Sequence, residues 1–97
     1  MIIGVAVAEL HIPHARSLKE KRRVIKSVLD RVAHRYQISA AEVEHQELHQ
    51  RSRLGFALVN SSRRHAASML DEIHRIVEGR AEAFVTHWQA DLIEDFQ

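Results

Sequence analysis

An α+β domain with the element order βαββαβ is the fold class that this sequence predicts, on three observations. Two stretches, one after Ser17 and one after Ser62, repeat apolar residues at helical spacing. Three separate regions, at the start, between the helices and near the end, are rich in Val, Ile, Ala and Phe in the manner of strands. Finally, 97 residues at 45% hydrophobic content suit one core, hence a single domain over residues 1–97.

Met1 to Ile12 reads as the first strand. By the period-two rule Ala6, Ala8, Leu10 and Ile12 share one face, whose small residues let a helix approach closely. Ile3, Val5, Val7, Glu9 and His11 take the other face. Pro13 closes the strand, and Ser17 followed by Glu20 fits a capping box that starts a helix. Leu18, Ile25, Leu29, Val32 and Tyr36 form its apolar stripe, widened by Val24 and Val28, and it ends near Arg35 or Tyr36.

Ile38 to Glu44 is a second strand, polar enough for a sheet edge, and Arg53 to Asn60 is its partner, with Leu54, Phe56 and Leu58 alternating with Gly55, Ala57 and Val59. The connection from His45 to Ser52 has no Gly or Pro and is too long for a tight hairpin, so a protruding loop is expected. A second helix spans about Ser62 to Glu78, capped by Asn60, Ser61 or Ser62 and stopped by Gly79, with Ala66, Met69, Leu70, Ile73, Ile76 and Val77 as its stripe. The last strand covers about Glu82 to Leu92, ahead of an acidic tail.

This order is the ferredoxin-like arrangement, a four-stranded antiparallel sheet with two helices on one face. In it, the end of strand one, the start of helix one and the loop between strands two and three share one end of the sheet. Arg16, Lys19, Lys21, Arg22 and Arg23 are thereby brought toward His45, His49, Arg51 and Arg53, while Arg63 and Arg64 belong to the opposite end.

Charge supplies the functional clue. Arg16 to Lys26 holds six Lys or Arg against one Glu, at a helix start whose free N–H groups and dipole already favour anions. Over the chain the net charge of +1 divides into +6 for residues 1–64 and −5 for residues 65–97. A solvated helix face is the ordinary reading of charges at helical spacing. The excess of one sign points beyond it, to an anion-binding face made by Arg16, Lys19, Arg22, Arg23 and Lys26, extended by Arg51 and Arg53.

The run Arg16-Ser17-Leu18-Lys19-Glu20-Lys21-Arg22, preceded by His11-Ile12-Pro13 and followed by His45-Gln46, resembles the YlxP-like family of small bacterial proteins, a family of unknown function. The resemblance covers essentially the whole chain. It implies a ferredoxin-like fold and a bacterial cytoplasmic protein, often encoded beside transcription and translation factors, with a link to RNA or ribosomes. It brings no catalytic residues. The chain departs from the family pattern at Val7, where an acidic residue is expected, and at His49, where a tryptophan is expected. The first change makes one strand face more apolar, and the second removes an aromatic contact.

Composition narrows the alternatives. Without cysteine there is no disulfide, thiolate nucleophile or thiolate metal site. The apolar start lacks the basic n-region of a signal peptide, and no run reaches membrane-spanning length, so a soluble cytoplasmic protein without membrane association is expected. His45 and His49 stand at i and i+4 but in a loop, without the Glu that follows the first His in zinc proteases, and neither a metal nor a cofactor is expected. No nucleophile elbow or phosphate-binding glycine loop is present. Acylphosphatases share the fold and use an Arg with an Asn, but Arg16 and Asn60 match only as residue types.

RNA-recognition motifs stack bases on aromatics of the central strands, whereas here strand one has none and strand three only Phe56, expected in the core. An RNA or ribosomal-particle partner would therefore be held by its phosphates. The competing class is a homo-oligomeric interaction domain that uses Ile3, Val5, Val7, Ala57, Val59 and Val85 on the helix-free sheet face, unless Leu92, Ile93 and Phe96 fold over it.

Overall fold

The computed structural model describes residues 1–94. Its elements are β1 (Ile2–His11), α1 (Leu18–Arg35), β2 (Ser39–Glu44), β3 (Arg51–Asn60), α2 (Arg63–Glu78) and β4 (Phe84–Ile93). The strands form one antiparallel sheet in the order β2-β3-β1-β4, and both helices cover one face, as the sequence predicts.

Strict alternation on the central strands separates the two faces. Ile2, Gly4, Ala6, Ala8 and Leu10 of β1 are buried beneath the helices, while Ile3, Val5, Val7 and Glu9 are half-buried on the open side. At Gly4 the approach is closest: a Cβ there would stand 3.0 Å from the Leu58 side chain and 3.3 Å from Leu70 of α2. β1 and β3 are joined over ten residue pairs, from Ile2 opposite Asn60 to His11 opposite Arg51.

The helix starts follow their capping residues. The Ser17 side chain accepts from Glu20 N–H at 3.1 Å, and Ser62 does the same for His65 N–H at 3.1 Å. The Glu20 carboxylate turns back as the capping box requires but accepts from Arg16 N–H at 2.6 Å, one residue before the cap. Val28 and Val32 of α1, and Ala66, Ile73 and Val77 of α2, are fully enclosed in the shared core.

Two bulges alter the pattern of the edge strands. In β2, Glu42 pairs with Leu54 and Glu44 with Arg53, so Val43 is the extra residue and lies over Gly55, 3.1 Å from where its Cβ would be. In β4, His87 opposes Glu9 and Val85 opposes Leu10, leaving Thr86 as the extra residue. The parity of β4 therefore switches at Thr86. The expectation for Val85 is corrected: it packs with the core on the helix side, and the exposed Phe84 takes the open face instead. Leu92 also belongs to the helix side, opposite Gly4, whereas Ile93 continues the open face opposite Ile3. Phe96 lies outside the described residues. Trp88 is half-buried beneath α2, its ring stacked on His74 at 4.3 Å and 4°.

Candidate nucleic-acid interface

Leu18 to Arg35 is helical because the cap starts it and the stripe Val24, Ile25, Val28, Val32 buries it, so the residues between the stripe positions must face water. Arg16, Lys19, Arg22, Arg23, Lys26 and Arg31 are all exposed. Two acidic residues lie on the outer side of α1: Glu20, whose carboxylate is held by Arg16 N–H, and Asp30, 2.7 Å from Lys26 in an exposed pair that leaves Lys26 largely free to exchange partners. Among the described residues, the charged side-chain groups of Arg16, Lys19, Arg22, Arg23 and Arg31 have no carboxylate within 4.0 Å, although the Glu20 carboxylate is engaged by the backbone N–H of Arg16.

The arc borders a shallow groove of about 700 Å3 between the helices, lined by Arg23, Lys26, Arg31, His34 and Arg35, by Ser27 and the acidic Asp30, and by Ile76 of α2. Arg31 and His34 are thus part of the basic surface although the sequence reading stopped at Lys26. For His34 the signal was present, since it lies eleven residues after Arg23 on nearly the same line of the helix, whereas Arg31 is turned about 80° from Arg23. Arg35 is engaged: it reaches Glu72 of α2 at 2.8 Å, and the Tyr36 hydroxyl donates to the same carboxylate. That hydroxyl and the Arg35 guanidinium hold the Glu72 carboxyl below the usual carboxylate range. Burial, together with the neighbouring Glu72, pushes the Tyr36 hydroxyl up.

Lys21, which the sequence turns toward His45 and leaves out of the anion-binding set, does not join the surface. It is fully buried, and its ammonium lies 2.8 Å from the Glu42 carboxylate. It also donates to the backbone carbonyls of His45 at 2.7 Å, Arg51 at 3.3 Å and, more weakly, Gln46 at 3.5 Å. The buried Ser52 hydroxyl donates to the same Glu42 oxygen at 2.6 Å. His45 has φ 67°, a left-handed conformation that a non-glycine residue adopts at a cost, and its carbonyl is the nearest of the three to the ammonium. Lys21 therefore ties the β2–β3 loop to the first turn of α1. Gln50 adds a second tie, with its side-chain amide donating to the carbonyls of Pro13 and Ala15 and its own carbonyl accepting from Ile12 N–H at 2.9 Å.

The loop and the helix start meet at one end of the sheet, as topology required, but Arg51 and Arg53 do not extend the helix surface. Both alternate with Ser52 and Leu54, which are buried beneath the helices, so their side chains belong to the open face. Arg53 is also partnered there, 3.0 Å from Glu9 and 4.0 Å from Glu44. His45 lies 3.6 Å from Glu9 in the same cluster. Glu9, Glu44 and His45 have ligand atoms within 4.8 Å of one another, yet the Arg53 guanidinium already supplies their positive partner, and the cluster is read as ionic.

Arg16 and Asn60 do not meet. Asn60 pairs with Ile2 at the start of β1, and its amide oxygen accepts from Ser62 N–H, whereas Arg16 follows the far end of that ten-residue strand. Phe56 is buried, so the central strands offer no exposed aromatic. Arg63 stands at the opposite end of the sheet and is paired with Glu94 at 3.1 Å. No described helix is long and apolar enough to cross a membrane.

Residues 3–90 match the model of a family described as protein of unknown function, DUF503. The chain belongs to the DUF503 family. It is similar to the uncharacterized protein YlxP of Bacillus subtilis (strain 168), with 37% identity over 81 residues, covering 84% of this chain and 88% of that protein. DUF503 membership fits the resemblance carried by the Arg16 to Arg22 run, which lies inside the matched region.

Proposed function

We propose that this protein is a non-enzymatic RNA- or ribosome-associated domain that grips phosphates through the outer arc of α1. One observation carries the reading: five exposed cations, Arg16, Lys19, Arg22, Arg23 and Arg31, are spread over the solvent side of α1 and its start, with no carboxylate within 4.0 Å of their charged side-chain groups among the described residues. Phosphates would replace the missing counter-charges, giving affinity with little base specificity. Arg51 and Arg53 stand outside this contact surface, on the other side of the sheet.

Charge reversal tests the location. Lys19→Glu with Arg23→Glu is expected to weaken RNA binding uniformly across sequences, while Arg63→Glu with Arg64→Glu at the far end has a much smaller effect. Equal losses from both pairs, in an electrophoretic mobility assay at fixed salt, would show that the attraction is diffuse and that no localised site exists.

A second reading is favoured by the open sheet face. Ile3, Val5, Val7, Ala57 and Ile93 are side by side in register, and Val59 next to Ile3 is 65% exposed. A contiguous patch of this kind suits a second copy of the chain, and a homodimer at micromolar concentration is the expected result. Sedimentation analysis of wild type and Val5→Glu checks it. A wild type that stays monomeric at high concentration, with mass and solubility unchanged in the variant, removes the dimer. The two readings use opposite faces and do not compete for residues.

A further inference from the structure

We infer that the nucleic acid held by α1 is an A-form RNA duplex rather than a single strand, an inference that rests on the phosphate-binding reading above. Single strands are held by grooves that combine cations with aromatic faces on which bases stack. The helix side offers no exposed Phe, Tyr or Trp face among the described residues, and His34 at the groove is the smaller imidazole. Tyr36 is half-buried, with its hydroxyl committed to Glu72 and the Arg35 guanidinium over its ring at 5.8 Å. Trp88 is covered by His74, Phe56 is buried, and the exposed Phe84 lies on the other face of the sheet.

The shape of the cationic surface points the same way. Lys19 to His34 spans roughly 22 Å along the helix at about 1.5 Å per residue. Arg22 and Arg31 are nine residues apart, which places them on opposite flanks of the helix at about 100° per residue. Arg31 lines the groove toward α2, and Arg22 is not among the residues of that groove. The surface is therefore a convex ridge with charge on its crest and both flanks, suited to two phosphate strands rather than one. Beyond the groove, α2 carries Asp71, Glu72 and Glu78 along with Arg75, which limits the footprint to the ridge and groove.

Depth selects the duplex form. α1 is packed into a layer beside α2 and above the sheet, so it does not stand clear of the molecule as a helix must to enter a B-form major groove about 8.5 Å deep. The A-form minor groove is wide and shallow, bordered by phosphates and 2′-hydroxyls, and a flat-lying ridge reaches both of its sides.

Fluorescence anisotropy with a labelled RNA duplex, its isolated single strand and the DNA duplex of the same sequence tests the inference. The RNA duplex is expected to bind about tenfold more tightly than either of the others, and Arg22→Ala and Arg31→Ala are each expected to weaken the duplex more than the single strand. A single strand that binds as well as the duplex overturns the inference while leaving phosphate binding intact. DNA that binds as tightly as the RNA duplex overturns the A-form assignment. Absence of binding to all three at low salt overturns the phosphate-binding reading itself.

Discussion

Replacing Lys21 by Met is expected to destabilise the protein by about 3–5 kcal/mol, the range for removing one partner of a buried ion pair. The charge it leaves behind is Glu42, only 16% exposed and held between the lost ammonium and the Ser52 hydroxyl. The carbonyls of His45 and Arg51 lose their shared donor at the same time, and the left-handed turn at His45 loses a contact that holds it. Adding Glu42→Gln should recover part of the stability, because the amide keeps an acceptor for Ser52 and no charge remains unpaired. Denaturant midpoints of the two single variants and the double variant measure this. A single Lys21→Met variant as stable as wild type would mean that the ammonium does not hold the loop.

The second large effect belongs to the core stripe of α1. Ile25 is 5% exposed and packs within the shared core, so Ile25→Ala is expected to cost about 2–5 kcal/mol through lost contacts and the cavity left behind. Leu29, partly buried against the same cluster, should fall at the lower end of that range. Lys26 is 76% exposed at its side chain, and Lys26→Ala should cost little beyond a surface pair. Thermal unfolding of the three variants separates these outcomes, and equal midpoints would show that the helix faces the other way.

Much of the architecture was legible in the sequence, for identifiable reasons. Alternation along Ile2 to Leu10 divides the two sheet faces, and Ser17 marks the first helix start because its side-chain oxygen answers a free N–H, while for the second helix the structure selects Ser62 from the candidates Asn60, Ser61 and Ser62. The basic arc from Arg16 to Lys26 is exposed as its spacing implied. Lys21 was left out of the anion-binding set and turned toward His45, but its burial was not foreseen. It lies three residues before Val24, four before Ile25 and seven before Val28, which puts it on the buried stripe. Its partner Glu42 comes from another strand, and nothing local announces that pairing.

Arg51 and Arg53 show the complementary error. Topology places them at the correct end of the sheet, but period two places them on the open face with the alternate residues of β3, where Glu9 and Glu44 meet Arg53. Val85 fails for a third reason, since one extra residue at Thr86 reverses the alternation and no composition signal marks a bulge there.

If the outer arc of α1 binds phosphates as proposed, RNA affinity falls steeply with salt. Each phosphate neutralised releases counterion, contributing about 0.7–0.9 to the slope of log affinity against log salt. If the five unopposed cations Arg16, Lys19, Arg22, Arg23 and Arg31 each meet one phosphate, the slope is about −3.5 to −4.5, and it flattens by about 1.5 when Lys19 and Arg23 are both replaced by Glu. A slope near zero, or one unchanged in that double variant, would contradict the account.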